Sequence, residues 1–373
     1  MFEEYGTHQP EADKLDVWFG PDVFSTESFL RARWLFLRCL GGVFFSAFYS
    51  LYFQIHGLIG PNGILPASSY LDLVHRLTGW RCYALVPTLL WINSGELALD
   101  LVVWLGLAAS VAIMLNLWPR LSILIALLLF LSFVSAAQQF SGYQSDGMLL
   151  EAAFLSLFFA PPGLRPGLGA AHPPSRASLF MLRWEWFRIY FESGLVKLLS
   201  GETQWRDLSA MDRYYENGPL PSWIGWYVQH WPHGFHAVTC AATLIVELFV
   251  VWLVFLPKSS RRIAFLITTP LQIGIILTAN YAFLNYLVLI LGFLLLDDRV
   301  FERVRLRAPV RPKPEDLPPA GEPRVRYPRA AAAGVLITVF FATISSFVVP
   351  NVPVLNIPAT VLAPFRIANS FGL

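Results

Sequence analysis

The chain has 373 residues and a net charge of +2; 55% of it is hydrophobic, 15% aromatic and only 14% charged, where soluble domains carry about 25% charged residues. That composition excludes an ordinary soluble enzyme, and the near-neutral balance excludes nucleic acid as a partner, because phosphate binding needs a concentrated basic face. Ten charged side chains fall in residues 1–33 and fifteen in 297–329, so the rest of the chain is as charge-poor as lipid-embedded polypeptide.

Residues 1–33 read as an acidic, polar cytoplasmic segment with no cleavable signal, which makes the first span its own anchor. About 20 apolar residues cross a hydrocarbon layer roughly 30 Å thick. On that measure spans are expected near 34–54, 95–117, 120–141, 143–160, 179–199, 234–256, 262–280, 282–296 and 330–350. The expected fold is an all-α, polytopic helical bundle of about nine spans, with its transmembrane core over 34–296. Orientation follows from the basic clusters Arg31/Arg33/Arg38, Arg120, Arg165/Arg176/Arg183, Lys258/Arg261/Arg262 and the Lys and Arg residues of 297–329, all cytoplasmic by the positive-inside rule. Consecutive clusters then need an even number of crossings between them. By that parity 263–296 is a hairpin turning around Asn280-Tyr281, and 82–92 is an interfacial or re-entrant helix before the Asn93-Ser94-Gly95 break. The N-terminus is then cytoplasmic, loops 55–94 and 200–233 face outside, 297–329 is a flexible cytoplasmic linker, and 330–373 forms the last span and an outer tail. The Ala-, Leu-, Arg- and Pro-rich composition favours a bacterial inner membrane over the endoplasmic reticulum.

Ionisable residues inside spans cost roughly 2.5 to 3.5 kcal/mol each on insertion scales and are functional candidates by default. Glu96 and Asp100 lie one turn apart near the outer end of their span, where water explains them. Asp146 is expected as the N-cap of a short span and Glu151 as a buried acid. Glu185, Arg188 and Glu192 share one helical face, where Arg188 either neutralises a carboxylate on its own helix or belongs to a site. Lys197 is off that stripe near the outer end, and either snorkels to the interface or acts as a catalytic base. His230, His233 and His236 are interrupted by Pro232 and Gly234, so no metal site is expected. Cys39, Cys82 and Cys240 are too scattered for a disulfide framework, and no nucleophile elbow, P-loop or dinucleotide fingerprint occurs.

The segment 205–232, WRDLSAMDRYYENGPLPSWIGWYVQHWP, mixes Trp and Tyr with acids and Arg. Trp205, Leu208, Met211 and Tyr215 recur at the 3–4 spacing of an amphipathic interfacial helix, and Pro219 and Pro221 then force a turn into a second short helix. The segment is either an aromatic belt or a docking surface, since Trp, Tyr and Arg dominate binding hot spots. The docking candidates are Trp205, Asp212, Tyr214, Tyr215, Glu216, Pro219, Pro221, Trp226 and Tyr227.

GLIGPNGILP (57–66), QSDGMLLEAAFLSLFFAP (144–161), LRWEWFRIYFESGLVKLLSG (182–201), the 205–232 segment, NYAFLN (280–285), LLLDD (294–298) and PFRIANSFGL (364–373) together resemble the lipase maturation factor family. That resemblance implies a multi-pass membrane protein with a chaperone-like role, assisting folding or assembly of an exported, lipase-like client without a cofactor. Membrane lipid is then its other partner. Family members usually continue past an ANSYGL-like motif, which implies a separately encoded C-terminal domain as a further partner. More distantly, YFESGLVKLLSG is similar to the vitamin K-dependent γ-carboxylase and its horizontally transferred transmembrane-helix relatives. By that likeness Lys197 matches the catalytic base of an integral membrane enzyme, with Glu192 or Glu151 nearby, although Leu198 stands where the carboxylase has an adjacent lysine. A transporter is the other alternative, and the chain shows no clear internal repeat of the kind many transporters have.

Overall fold

The computed structural model describes residues 29–218, 221–303, 326–348, 352 and 354–371. Among these residues every regular element is helical. The principal helices are α1 Leu30–Ile59, α2 Ala67–Thr78, α3 Glu96–Met114, α4 Pro119–Ala136, α5 Gln144–Phe159, α6 Arg176–Leu199, α7 Trp223–Gln229, α8 His233–Leu248, α9 Lys258–Thr278, α10 Leu284–Gly292, α11 Asp298–Arg303, α12 Arg326–Val348 and α13 Ile357–Leu362. Six of them, with α8 extended by 3-10 turns to Phe255, are long and apolar enough to cross a membrane: α1, α3, α4, α8, α9 and α12. The protein is an integral membrane protein. Helix α5 has 16 residues, α10 with its following turn covers only Leu284–Leu295, and α6 carries charge along its 24 residues. These three are therefore helical without being self-sufficient spans.

The bundle closes on close approaches that only glycine permits. A Cβ on Gly41 of α1 would sit 2.9 Å from the Met114 backbone nitrogen, and one on Gly106 of α3 would sit 2.3 Å from the Phe48 ring. Lipid supplies no hydrophobic drive between helices, so small residues that admit a neighbour's backbone or ring are what lock such a pair. Phe130 of α4 then packs edge-on against Phe44 and Phe48, with ring centroids 6.0 and 5.8 Å away.

The described basic clusters converge on one end of the bundle. The buried Arg33 donates to the carbonyls of His172, Leu168 and Gly169 at 2.7 to 2.9 Å. Arg120 Nε reaches the Ala160 carbonyl at 2.7 Å, Arg183 Nε the Leu294 carbonyl at 2.9 Å, and Arg262 pairs with Asp297 at 2.6 Å. At the same end the Asp298 carboxylate accepts from the Leu30 and Arg31 amides at 3.0 and 2.8 Å. It thereby satisfies first-turn donors that have no partner within α1.

Several expectations are corrected here. Residues 298–303 are helical, with Asp297 and Asp298 buried, so the expected linker does not begin at 297; residues 304–325 lie outside the described residues. Helix α1 starts at Leu30, within the expected polar segment, of which 1–28 are likewise outside them. In 82–92 the structure has a one-turn helix Cys82–Leu85 and a 3-10 turn Leu89–Trp91. The hairpin is present, α9 ending at Thr278 and α10 starting at Leu284.

Candidate functional site

Helix α6 carries two charged clusters. The first is closed. Arg188 Nη1 donates to Glu151 of α5 at 2.6 Å and its Nε to Glu192 at 3.1 Å, with all three side chains at most 3% exposed. The guanidinium also donates to the Asn369 carbonyl and lies 4.6 Å from the Phe371 ring centroid. In return the Asn369 amide donates to Glu151 at 3.2 Å and the Phe371 amide to Glu192 at 2.6 Å. The C-terminal ANSF stretch is thus stitched into the bundle by two acids and one arginine. Gly147 makes room for it, since a Cβ there would lie 2.9 Å from the Asn369 side chain.

Glu185, expected on the same stripe as a partner of Arg188, is fully buried, and neither of its carboxylate oxygens has a hydrogen-bond partner. The choice among partners went to Glu192 and to the unforeseen Glu151. Asp146 is not the N-cap of α5: Tyr143 occupies that position without a side-chain cap, and Asp146 sits in the first turn, where Arg366 is the opposite charge acting on it. Asp100 pairs with His56 at 2.7 Å, both partly exposed.

The second cluster is open. Lys197 Nζ donates to both Glu247 oxygens, at 2.6 and 2.7 Å, and lies 5.1 Å from the Trp205 ring centroid. Its partner is neither Glu192 nor Glu151, as the carboxylase-like reading required. Glycine decides this geometry. A Cβ on Gly194 would lie 2.9 Å from the Cβ of Glu247, so α6 and α8 touch there and Glu247 reaches a lysine one turn along. The pair forms one wall of a cavity of about 540 Å³ bounded by α6, α8, α9 and α10, with Trp205, Met211, Tyr214 and Tyr215 as its roof.

That roof is where the expected amphipathic helix fails. Residues 203–208 form successive turns and only Ala210–Asp212 is a 3-10 turn. Leu208 has φ +62°, a left-handed conformation that interrupts a helix. The cause is Asp207, whose carboxylate accepts from the Ser209 amide at 3.1 Å and hydroxyl at 2.5 Å, offering the backbone an alternative to helical bonding. The same bonds hold the exposed Asp207 carboxyl below its ordinary range. The second short helix is present as α7, N-capped by Ser222, which accepts from the Gly225 amide at 3.0 Å.

The docking candidates therefore divide. Trp205, Tyr214 and Tyr215 are half-buried and point into the cavity. Tyr214 shares a 2.6 Å hydrogen bond with Tyr281, and burial, with Tyr281 beside it, pushes its phenol well above the usual value. Burial also raises Tyr215. Asp212 is tied to His233 Nδ1 at 2.9 Å. Glu216 and Pro221 are exposed, as are Trp226 (60%) and Tyr227 (66%); Pro219 lies outside the described residues. Helix α7 is braced from beneath: Ser222 Oγ donates to the Leu277 carbonyl at 2.9 Å, and a Cβ on Gly225 would meet the Thr278 carbonyl at 2.4 Å. His236 is buried apart from His230 and His233, and among the described residues no group of three or more His, Cys, Asp or Glu could hold a metal.

Residues 31–303 match the model of the lipase maturation factor transmembrane domain. The chain belongs to the lipase maturation factor family. Lipase maturation factor 2 of Gallus gallus is 39% identical over 280 residues, which is 72% of this chain and 39% of the relative. Lipase maturation factor 1 of Mus musculus is 31% identical over 286 residues, 74% of this chain and 50% of the relative. That of Bos taurus is 29% identical over 389 residues, 98% of this chain and 69% of the relative. The chain thus spans well under two thirds of the first two relatives. None of these relatives bears a carboxylase or transporter name. No solved structure matches the chain. Both α6 clusters fall within the family domain, whereas the ANSF stretch that plugs the first lies beyond the matched residues.

Sequence reasoning missed Glu247 as the partner of Lys197, Gln272 on the cavity wall, and Asn369 and Phe371 as partners of Arg188. The signals were present: ESGLVK placed glycine one turn before the lysine, and PFRIANSFGL stood out as a motif within the expected outer tail.

Proposed function

We propose that this chain is the membrane-embedded part of a maturation factor that assists folding or assembly of an exported, lipase-like client protein, with no cofactor. The observation that carries the reading is α7, a short helix braced on α9 that holds Trp223, Trp226 and Tyr227 in the open, with Trp223 89% exposed. Rigid aromatic side chains at a solvent or headgroup boundary are the side chains that dominate binding hot spots. Glu216 and Pro221 flank this ridge, and the second outer segment, 55–94, adds the exposed Leu77, Trp80 and Ile92. The convergence of basic clusters at the opposite end supports a cytoplasmic N-terminus and an outer C-terminus. The ridge then faces the periplasm of a bacterium, the setting the composition favours, or the endoplasmic reticulum lumen of a eukaryote.

The test is site-specific photocrosslinking from Tyr227 in cells co-expressing an exported lipase, with the crosslinked partner identified by mass spectrometry. Capture of the lipase is expected, and Trp226→Ala with Tyr227→Ala should weaken it by about 2 kcal/mol or more. Crosslinks to lipid alone, with lipase maturation unchanged by the double substitution, would reduce the ridge to a membrane anchor.

A further inference from the structure

The client reading makes no use of the cavity beside Lys197, and the chemistry of its wall points elsewhere. It is a half-open cleft of about 540 Å³, within the roughly 300–1,000 Å³ range of small-molecule sites. It is too small to hold a two-chain phospholipid whole. Helices α8 and α9 pack mainly on other elements and meet each other sparsely, so the cavity lies behind a seam between two apolar helices.

The polar groups on its wall define the head of an occupant. Lys197 and Glu247 neutralise one another at 2.6 Å, so no net charge awaits a counter-ion. Gln272 is different. It is 5% exposed and lines the cavity, and although its amide lies beside the Tyr190 hydroxyl, its Oε1 accepts no hydrogen bond. A buried acceptor without a donor is rare in folded proteins and calls for a partner. Two residues on, the exposed Gly274 also lines the cavity, and a Cβ there would meet no atom within 4 Å, so the cavity opens outward beside α9 at that point.

We propose that this cavity binds one uncharged single-chain lipid bearing a hydroxyl head, the hydroxyl donating to Gln272 Oε1 and the chain lying between α8 and α9. A monoacylglycerol and a long-chain alcohol share that chemistry, and the competitors below separate them. The site is independent of the α7 ridge, so the client reading can fail without it, and the reverse.

The experiment uses the full chain in nanodiscs with a diazirine-bearing monoacylglycerol, mapping the labelled residues by mass spectrometry. Labelling is expected at cavity-lining positions such as Thr243 and Ile275, with monooleoylglycerol or oleyl alcohol competing at least tenfold better than methyl oleate, which has no donor, or oleate, which is charged. Whichever hydroxyl lipid competes better identifies the source. Gln272→Leu should erase the tenfold preference over methyl oleate while leaving methyl oleate competition unchanged; if it fails to accumulate, Gln272→Met carries the same test. Gly274→Phe should fill that opening and abolish cavity labelling at unchanged thermal stability. Equal competition by methyl oleate in the unaltered protein, labelling confined to outward residues such as Leu266, or labelling that survives Gly274→Phe would overturn the proposal.

Discussion

Arg188 and Lys197 lie on one helix, yet their surroundings are opposites. Arg188 is saturated: two carboxylates, a carbonyl and an aromatic ring enclose it, and the chain's own tail closes the last opening. Lys197 has one carboxylate and one ring, keeps 23% of its side chain exposed, and borders empty space. A charge inside a bundle is thus no signature of a site in itself. What distinguishes a structural clasp from a ligand-facing wall is whether the protein supplies every partner.

The sharpest way to break this contrast is to remove each cation. Arg188→Ala strands two buried acids and unpins the tail, and should cost about 3 to 5 kcal/mol, read as a lower yield and a lower unfolding temperature in detergent. Normal stability with lost client maturation would instead make Arg188 a functional residue. Lys197→Met strands one buried carboxylate, Glu247, beside the cavity and should cost about 1 to 3 kcal/mol. Lys197→Arg, which keeps the charge, should be close to silent for stability and maturation alike.

A middle-sized effect tests the plug without touching a charge. Gly147→Leu would drive a side chain into Asn369, displace the tail, and cost about 1 to 3 kcal/mol as overpacking does. Limited proteolysis should then cut the C-terminal segment in the variant and spare it in the parent. An uncut tail at full stability would show that the clasp holds without close packing.

The smallest effect sharpens the roof. The Tyr214 phenol is raised in the folded protein, so above the ordinary value of about 10 the unfolded chain gives up a proton that the folded chain retains. Stability from this group is complete below pH 10 and falls as pH rises beyond it. Tyr214→Phe should flatten the alkaline side of the stability profile and cost about 1 kcal/mol at neutral pH, the worth of one hydrogen bond.

How far the molecule is legible in its residues depends on the distance an interaction travels. The α9–α10 hairpin follows from charge parity around Asn280-Tyr281, and the face shared by Arg188 and Glu192 follows from helical spacing, because both are local. The partners of Arg188 at Asn369 and Phe371 lie about half the chain away, and no periodicity reports them. Lys197 met Glu247 through Gly194, whose missing side chain is silent in a pattern of apolar positions. The 205–215 stretch misled for the converse reason: its apolar spacing is helical, but Asp207 bonds its own backbone and diverts the chain into turns.

The capping of α1 by Asp298 sets a clock on biosynthesis. Leu30 and Asp298 are 268 residues apart, and at the roughly 5–20 residues per second of translation the first helix emerges about 10 to 50 s before the carboxylate that closes its end. The clasp around Arg188 waits longer still, because Phe371 is made after Asp298. Through that interval a nascent chain in the membrane shows an uncapped helix at one end and an unplugged ion cluster within. Both disappear only once Asp298 and Phe371 have been made, so a copy truncated before Asp298 carries two standing marks by which a quality-control protease could recognise it.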